Sequence, residues 1–269
     1  MNSSYRMFFE LQREPFTADI THKEILITPA IKGVEERIRY AVRLGAVALI
    51  TGEIGSGKST ALRYVAGSFH PSEYRILHVT ASAGSILELY RHILGELHLE
   101  PVGSSRAKMT RKIKQEIKDA VLGKKMKVIL VIDEASLLRL DVFAELHTLT
   151  QFDNDSKPFL PMVLAGQGNL VDNLKYRYSL PLASRVVGRC HLQGVDQQGM
   201  EDYLAHHLAI AGVHNSLFEA PAVTAIHQGS GGLFRKANHL ARGSLIVAAR
   251  GKSSLVSSEH VRIAATELF

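Results

Sequence analysis

Two patterns of hydrophobic and polar positions recur along the first two thirds of the chain. Short runs rich in apolar and β-branched residues predict strands at 46–52, 74–81, 127–135 and 159–167, of which the first and third are expected to be buried. Segments with apolar residues three or four positions apart predict helices at 32–44, 58–69, 85–97 and 106–118. Strands that alternate with helices are typical of a parallel sheet with helices on both faces, so we expect an α/β fold.

The strand signals stop after residue 192, and the remaining pattern is helical. Four segments, at 197–212, 220–232, 233–251 and 257–269, are bounded or interrupted by glycine, proline or serine signals. We therefore expect three parts: an N-terminal lead-in at 1–31, an α/β domain at 32–192 and a small all-helical domain at 193–269.

The composition is that of an ordinary soluble globular protein, with 46% hydrophobic and 22% charged residues in 269. Every apolar run is far shorter than the roughly 18 residues that a membrane helix needs. The N-terminus lacks the apolar core of a secretory signal, so we expect a cytoplasmic protein without a membrane span. The single cysteine, Cys190, excludes an internal disulfide framework and is expected to serve packing.

Positive charge is concentrated in one segment. The formal net charge is +6, whereas Ser104 to Lys127 alone holds nine Lys/Arg and two Asp/Glu. The helix predicted there turns basic side chains outward, which predicts a sequence-independent contact with DNA phosphates. The candidate DNA contacts are Arg106, Lys108, Arg111, Lys112 and Lys114. A solvated helix face without a ligand explains the same pattern and stays open.

Residues 52–59 fit the motif G-x-x-x-x-G-K-[ST] in full, between a predicted strand and a predicted helix. The glycines let the backbone turn its N–H groups toward phosphate oxygens, Lys58 reaches the β- and γ-phosphates, and Ser59 offers a hydroxyl to Mg²⁺. The residues expected to bind the nucleotide are Gly52, Glu53, Ile54, Gly55, Ser56, Gly57, Lys58, Ser59 and Thr60. An N-K-x-D motif for a guanine base is absent, which argues against a switch GTPase.

Two acids, Asp133 and Glu134, end the third predicted strand. We expect this strand to lie beside the phosphate loop, with the two side chains on opposite sides because strand residues alternate. Asp133 is then the candidate for the Mg²⁺ shell and Glu134 for polarising the attacking water, while an exposed acidic turn is the alternative. Gln167, at the end of the next strand, is a candidate contact to the γ-phosphate, although a plain turn explains it equally well.

Three arginines complete the candidate site. Arg185 and Arg189 lie four apart and would share a face if helical, and no acid close in the sequence matches them. Either one is a candidate to reach the γ-phosphate of a neighbouring subunit, with surface arginines or an internal ion pair as the alternative. Arg235 follows a glycine-rich break at a predicted helix start and is the candidate to reach the nucleotide from the helical domain.

In this order, GEIGSGKST, VILVIDEA, LAGQ, SRVVGR and GGLFR resemble the motifs of AAA+ ATPases. The lead-in YRMFFELQREPFTAD and the segment GSGGLFRKANHLARGSLIVAA are similar to the general secretion pathway protein A group. They also resemble transposition regulators such as the Mu-phage B protein and Tn7-type ATPases. The resemblance implies a P-loop fold with a helical lid, and it implies binding and hydrolysis of ATP with Mg²⁺.

Residue by residue, the resemblance assigns Lys58 and Ser59 to phosphate and Mg²⁺, Asp133 and Glu134 to Walker B, Gln167 to sensor 1, Arg185 or Arg189 to the arginine finger, and Arg235 to sensor 2. AAA+ proteins more often carry Asn, Ser or Thr at sensor 1, so Gln167 departs from that pattern.

The resemblance leaves two biological contexts open. In the secretion proteins, a membrane span and a peptidoglycan-binding domain follow the ATPase domain, whereas this chain ends at Phe269 with neither. We therefore expect a transposition helper that forms ATP-dependent homo-oligomeric rings or filaments on DNA and stimulates a transposase. A secretion-type ATPase module and a non-catalytic nucleotide-binding adaptor are the alternatives.

Overall fold

The structure is a computed structural model that describes residues 3–100, 103 and 105–266. The first two residues of the lead-in, Ser104 in the basic segment and the last three residues of the predicted C-terminal helix lie outside the described residues. The chain divides into two compact units: one comprises residues 29–52 and 58–192, and the other comprises 1–28, 53–57 and 193–269. The lead-in, expected as a part of its own, thus groups with the C-terminal helices up to residue 28.

The elements follow one another in this order: α1 (Ser3–Phe8), α2 (Pro29–Leu44), β1 (Val47–Gly52), α3 (Lys58–Gly67), β2 (Tyr74–Thr80), α4 (Ile86–Glu96), α5 (Arg106–Lys118), β3 (Lys127–Asp133), α6 (Leu140–Thr150), β4 (Met162–Gly166), α7 (Asn169–Lys175), α8 (Leu180–Ala183), β5 (Val186–Leu192), α9 (Gln197–Ile210), α10 (Ala220–Ser230), α11 (Phe234–Arg250) and α12 (Ser258–Thr266).

The first unit is built on a five-stranded parallel sheet in the order β2-β3-β4-β1-β5. The predicted α/β fold is confirmed, and the four predicted strands correspond to β1 to β4. The fifth strand, β5, forms one edge, where only part of it is buried. Because β4 pairs with both β1 and β3, it separates them. Strand β3 therefore does not pair with β1, but its last residue, Asp133, accepts a hydrogen bond from Ser59 at the end of the phosphate-loop motif, so β3 ends beside the loop as expected.

Helix α5 shows how the sequence pattern fixes an element of this unit. Met109, Ile113 and Ile117 are fully buried, as their spacing predicts, and they join the core beneath the sheet. Burying side chains of this size stabilises the fold by roughly 1.5–3 kcal/mol each. The Ser105 side chain caps the start of the helix, and a π-helical turn at Asp119–Gly123 continues it toward β3.

The second unit has a separate apolar core formed by α9 to α12. Tyr5, Phe9, Leu11 and Phe16 of the lead-in are buried in this core, which explains why the lead-in groups with these helices. In the part of the chain that the structure describes, no helix combines the length and apolarity needed to cross a bilayer.

Candidate nucleotide-binding site

The phosphate loop connects the end of β1 to the start of α3 and depends on two glycines. Gly55 has φ +85° and Gly57 has φ +95°, a region that side chains rarely adopt. A Cβ on Gly55 would lie 2.7 Å from Cβ of Arg235, and a Cβ on Gly57 would lie 3.2 Å from the Phe234 ring. Both the turn of the loop and its close packing against the start of α11 therefore require glycine at these positions.

Two polar side chains of the loop region are buried. Lys58 is 6% exposed, and its Nζ donates a hydrogen bond of 2.9 Å to the Gly52 carbonyl. Ser56 is 3% exposed, and its Oγ has no hydrogen-bond partner among the described residues. Burying an ammonium is costly, and a phosphate beside Lys58 would compensate its charge; a buried hydroxyl such as that of Ser56 likewise needs a polar partner. The residues present thus fit a nucleotide phosphate.

Ser59 and Asp133, the two residues expected to hold Mg²⁺, lie together in the first unit. The Ser59 hydroxyl, at the start of α3, donates a hydrogen bond of 2.8 Å to Oδ2 of Asp133, the last residue of β3. Asp133 is 6% exposed, and its Oδ1 accepts a hydrogen bond of 2.8 Å from the Glu134 backbone N–H. A hydroxyl and a carboxylate are oxygen ligands of the kind that Mg²⁺ prefers, so the pair fits that metal.

Glu134 differs from the expectation. Strand β3 ends at Asp133, and Glu134 has φ +53° and ψ +31° at the start of a short 3-10 turn. The expectation that Asp133 and Glu134 alternate across a strand is therefore wrong, because only Asp133 belongs to the strand. Its side chain is partly exposed, next in the chain to the buried Asp133. A non-glycine residue held in the left-handed region is a mild strain of a kind that clusters at functional sites.

Gln167 follows β4, which pairs directly with β3 as the sequence predicts. Its backbone N–H donates a hydrogen bond of 3.3 Å to Oγ of Ser136. A Cβ on the preceding Gly166 would lie 2.8 Å from the backbone nitrogen of Ser136. Ser136 thus positions the Gln167 loop, a role that the sequence analysis missed because no motif marks this serine.

Arg185 lies just before β5 and already has protein partners. Its Nη2 donates hydrogen bonds to the Asp155 carboxylate, the longer one 2.6 Å, and its Nε donates to Nδ1 of His147 at 3.2 Å. The internal ion pair that the sequence analysis kept open as the alternative is therefore present, and its acid, Asp155, comes from a turn 30 residues earlier. Burial, together with the charge of Arg185, lowers the pKa of His147.

Arg189 lies within β5 and not on a helix, so the condition for a shared helical face is not met. Its side chain is exposed, and its backbone carbonyl accepts a hydrogen bond of 2.7 Å from Nε of Arg37.

Arg235 is the second residue of α11 and has an exposed side chain. Its backbone N–H donates a hydrogen bond of 3.4 Å to the Gly55 carbonyl, so the backbone of α11 contacts the phosphate loop.

The remaining residues that were expected to bind the nucleotide differ in their exposure to solvent. Glu53 and Ile54 are exposed, Thr60 is half-buried on α3, and Gly52 is buried at the end of β1.

Several basic side chains of helix α5 already have hydrogen-bond or ion-pair partners within the protein. Arg106 forms an ion pair of 2.8 Å with Glu145. Lys112 donates to the Glu100 carbonyl at 2.9 Å, and Lys114 donates to the Gln151 carbonyl at 2.8 Å. Lys108 and Arg111 are exposed. Three of the five candidate DNA contacts therefore have partners within the protein.

Comparison with known proteins adds family information. Residues 42–174 match the family described as "AAA domain". The chain is 28% identical to general secretion pathway protein A of Aeromonas hydrophila over 266 residues, which is 98% of this chain and 48% of that protein. The chain thus spans about half the length of this curated relative.

Three solved structures illustrate the shared fold. Cdc6p from Pyrobaculum aerophilum has a TM-score of 0.75 at 16% identity, and the match covers 94% of this chain and 70% of the Cdc6p chain. ORC1 of Aeropyrum pernix, in complex with DNA, has a TM-score of 0.69 at 17% identity, covering 94% and 68%. The Thermotoga maritima RuvB Holliday junction branch migration motor has a TM-score of 0.56 at 16% identity, covering 88% and 67%.

Proposed function

Because this chain is an AAA+ protein with its AAA domain at residues 42–174, we propose that it is a Mg²⁺-dependent ATPase. One observation carries the proposal: the Ser59 hydroxyl lies 2.8 Å from the Asp133 carboxylate, in the unit where Lys58 is buried. A loop that only binds phosphate needs the lysine, whereas a hydrolytic site also needs oxygen ligands for Mg²⁺ and a carboxylate for water.

Each residue has a separate role in this proposal. Lys58 contacts the β- and γ-phosphates, Ser59 and Asp133 hold the metal, and Glu134 accepts a proton from the attacking water. When bound, Mg²⁺ supplies charge neutralisation on the phosphate oxygens. Ser136 keeps the backbone of Gln167 in place, so that its side chain is available near the end of β4.

Release of inorganic phosphate from ATP, with and without Mg²⁺, tests the proposal. We expect Lys58→Ala to lose ATP binding because the buried ammonium is removed from the loop. We expect Glu134→Gln to bind ATP normally and to hydrolyse it at least roughly a hundredfold more slowly, because the water loses its base. Glu201→Gln, an exposed acid on α9, is the control for loss of one carboxylate. Normal turnover in Glu134→Gln would contradict the role of this residue, and tight ATP binding by Lys58→Ala would contradict the site.

We propose further that ATP binding drives formation of a homo-oligomer, a ring or a filament. The sequence offers two arginines, Arg185 and Arg189, outside the phosphate loop and its acids, and phosphoryl transfer in P-loop proteins often uses an arginine supplied by a neighbour. Size measurements with ADP and with a non-hydrolysed ATP analogue test this step. Identical sizes in both states would contradict it.

The finer proposal is a cytoplasmic transposition helper that binds DNA without sequence preference and acts on a transposase. It is supported by the surplus of seven positive charges between residues 104 and 127 and by similarity to an ORC1 solved in complex with DNA. Stimulation of ATP hydrolysis by DNA is the expected result.

The second candidate function is an ATPase module in secretion, and a specific observation favours it. Similarity to general secretion pathway protein A extends over 98% of this chain, including the lead-in and the C-terminal helices. A hydrolysis rate that does not respond to DNA would favour this candidate over the transposition helper.

A further inference from the structure

A groove of about 590 Å³ lies between α5 and the end of α6. Its charged lining consists of Arg106, Arg111, Lys114 and Lys118 from α5, facing Glu145 and Asp153. The groove therefore has four cations and two acids, and it is a concave feature at the most basic part of the chain.

Helix geometry divides the basic residues of α5 into two sets. At about 100° per residue, Arg111, Lys114 and Lys118 fall on one side of the helix. Lys108 and Lys112 fall on another side, and neither lines the groove. The five residues that sequence alone groups as DNA contacts are thus not equivalent in the structure.

Ion pairs occupy both ends of the groove. Arg106 pairs with Glu145 at 2.8 Å, and Lys118 pairs with Asp153 at 2.7 Å. These side chains are between 28% and 58% exposed, so the pairs contribute little to stability and exchange partners readily.

The middle of the groove differs from its ends. The Lys114 ammonium lies 5.5 Å from the centre of the Phe152 ring and donates a hydrogen bond to the carbonyl of Gln151. Burial lowers the pKa of Lys114. Arg111 is exposed and has no hydrogen bond or ion pair with any described residue. Both cations in the middle therefore lack a carboxylate partner within the described residues.

We propose that this groove binds consecutive backbone phosphates of a nucleic acid, and that Glu145 and Asp153 compete with those phosphates for Arg106 and Lys118. The inference rests on the DNA binding proposed above and names where and how the phosphates bind. Arg111 and Lys114 provide the primary contacts. From Arg106 to Lys118 the cations extend for roughly 18 Å along the helix axis, which suits a chain of phosphates better than one small anion.

Two matched double variants test the location of the contact. Arg111→Gln with Lys114→Gln removes two charges and one hydrogen bond to a backbone carbonyl from the groove. Lys108→Gln with Lys112→Gln removes two charges and one such hydrogen bond from another side of the same helix. We expect the first pair to weaken binding of a duplex DNA roughly tenfold or more and to lower the salt slope by roughly 2, and the second pair to change affinity less than roughly threefold. Thermal unfolding checks that both variants fold.

A third variant tests the competition by an effect of opposite sign. Glu145→Gln with Asp153→Asn removes the two acids, and we expect it to tighten DNA binding by roughly threefold to tenfold. Inorganic pyrophosphate serves as the probe for a small-anion site in a separate titration.

The outcomes separate the groove from the proposed DNA role. If the wild-type chain binds no DNA, both fail, while the ATPase proposal is unaffected. If it binds DNA and both basic variants weaken binding equally, DNA binding stands and the groove is refuted. Unchanged or weaker binding by Glu145→Gln with Asp153→Asn refutes the competition. Saturable pyrophosphate binding that is lost in Arg111→Gln with Lys114→Gln, without a loss of DNA affinity, also refutes the proposal.

Discussion

Several polar or charged side chains are buried where an apolar side chain would pack at lower cost. Lys58 and Asp133 are each 6% exposed, and His207 is 3% exposed. The two charged residues belong to the candidate nucleotide site, where a phosphate and a metal would compensate their burial. His207 has no such explanation, because it lies in the core of the helical unit between Phe16 and Tyr203.

The burial of His207 predicts a pH dependence of stability. Burial, with His206 and Arg13 adding to it, lowers the pKa of His207 to about 4. The unfolded chain binds this proton near pH 6.5 and the folded chain only near pH 4, so stability is lost as the pH falls between these values. From pH 7 to pH 5 the loss amounts to roughly 2 kcal/mol in the free energy of unfolding.

Substitution His207→Phe removes the titrating group and keeps a ring between Phe16 and Tyr203. We expect urea unfolding to show a smaller loss of stability from pH 7 to pH 5 in this variant than in the wild type. The same pH response in both proteins would contradict a neutral buried histidine.

The candidate site shows which residues a sequence can reveal. Lys58, Ser59 and Asp133 are recognisable because phosphate and Mg²⁺ binding dictates both their types and their positions next to β1 and β3. Asp155 and Ser136 are not recognisable, because their partners come from distant parts of the chain. Asp155 meets Arg185 across 30 residues, and Ser136 meets Gln167 across 31.

At the scale of the elements, the turn between α10 and α11 holds two consecutive glycines at positive φ. Gly231 has φ +61°, and a Cβ there would point into open space, whereas a Cβ on Gly232, at φ +74°, would lie 2.3 Å from the Val195 carbonyl oxygen. The backbones also join directly, since the Val195 N–H donates a hydrogen bond of 3.0 Å to the Gly232 carbonyl. This turn therefore fixes the start of α11 against the segment that leads into α9.

The two glycines allow the cost of conformation to be separated from the cost of a clash. We expect Gly231→Ala to destabilise the protein by roughly 1–2 kcal/mol, because alanine is strained at positive φ. We expect Gly232→Ala to cost roughly 1–3 kcal/mol more, because its methyl group also displaces Val195. Urea unfolding at neutral pH measures both values. Equal losses in the two variants would contradict the close approach to Val195.

The elements themselves follow from the sequence to different degrees. Strands β1, β3 and β4 and helix α5 are predictable, because burial imposes a distinct apolar pattern on each. Strand β5 is less evident because Gly188 and Arg189 interrupt its apolar residues. By contrast, β2, the other partly buried edge strand, keeps Ile76 and Leu77 together. The order β2-β3-β4-β1-β5 is set by crossovers between strands distant in the chain, which periodicity does not encode.

For the whole molecule, the proposed homo-oligomer raises the question of whether Arg185 or Arg189 acts between subunits. Arg185 pairs with Asp155 within its own chain, and this pair must open if Arg185 contacts a neighbour's nucleotide. A purely structural Arg185 predicts that Asp155→Asn and Arg185→Ala lower stability and ATP hydrolysis to the same extent. If Arg185 instead contacts the nucleotide of a neighbouring subunit, only Arg185→Ala abolishes hydrolysis, because Asp155→Asn leaves the arginine free to move.

Mixing two inactive variants tests the contribution between subunits directly. The Lys58→Ala chain lacks a nucleotide site but retains Arg185, whereas the Arg185→Ala chain retains its site and lacks the finger. If Arg185 acts on a neighbour, each variant alone is inactive, and the mixture regains hydrolysis because some Arg185→Ala sites face an intact Arg185. The mixture of Lys58→Ala with Glu134→Gln is the control. We expect no recovery from it, because Lys58 and Glu134 act on the nucleotide of their own chain, so no site in the mixture has both residues intact. Recovery with Arg189→Ala in place of Arg185→Ala would assign the role to Arg189, and no recovery with either arginine variant would contradict an arginine supplied by a neighbouring subunit.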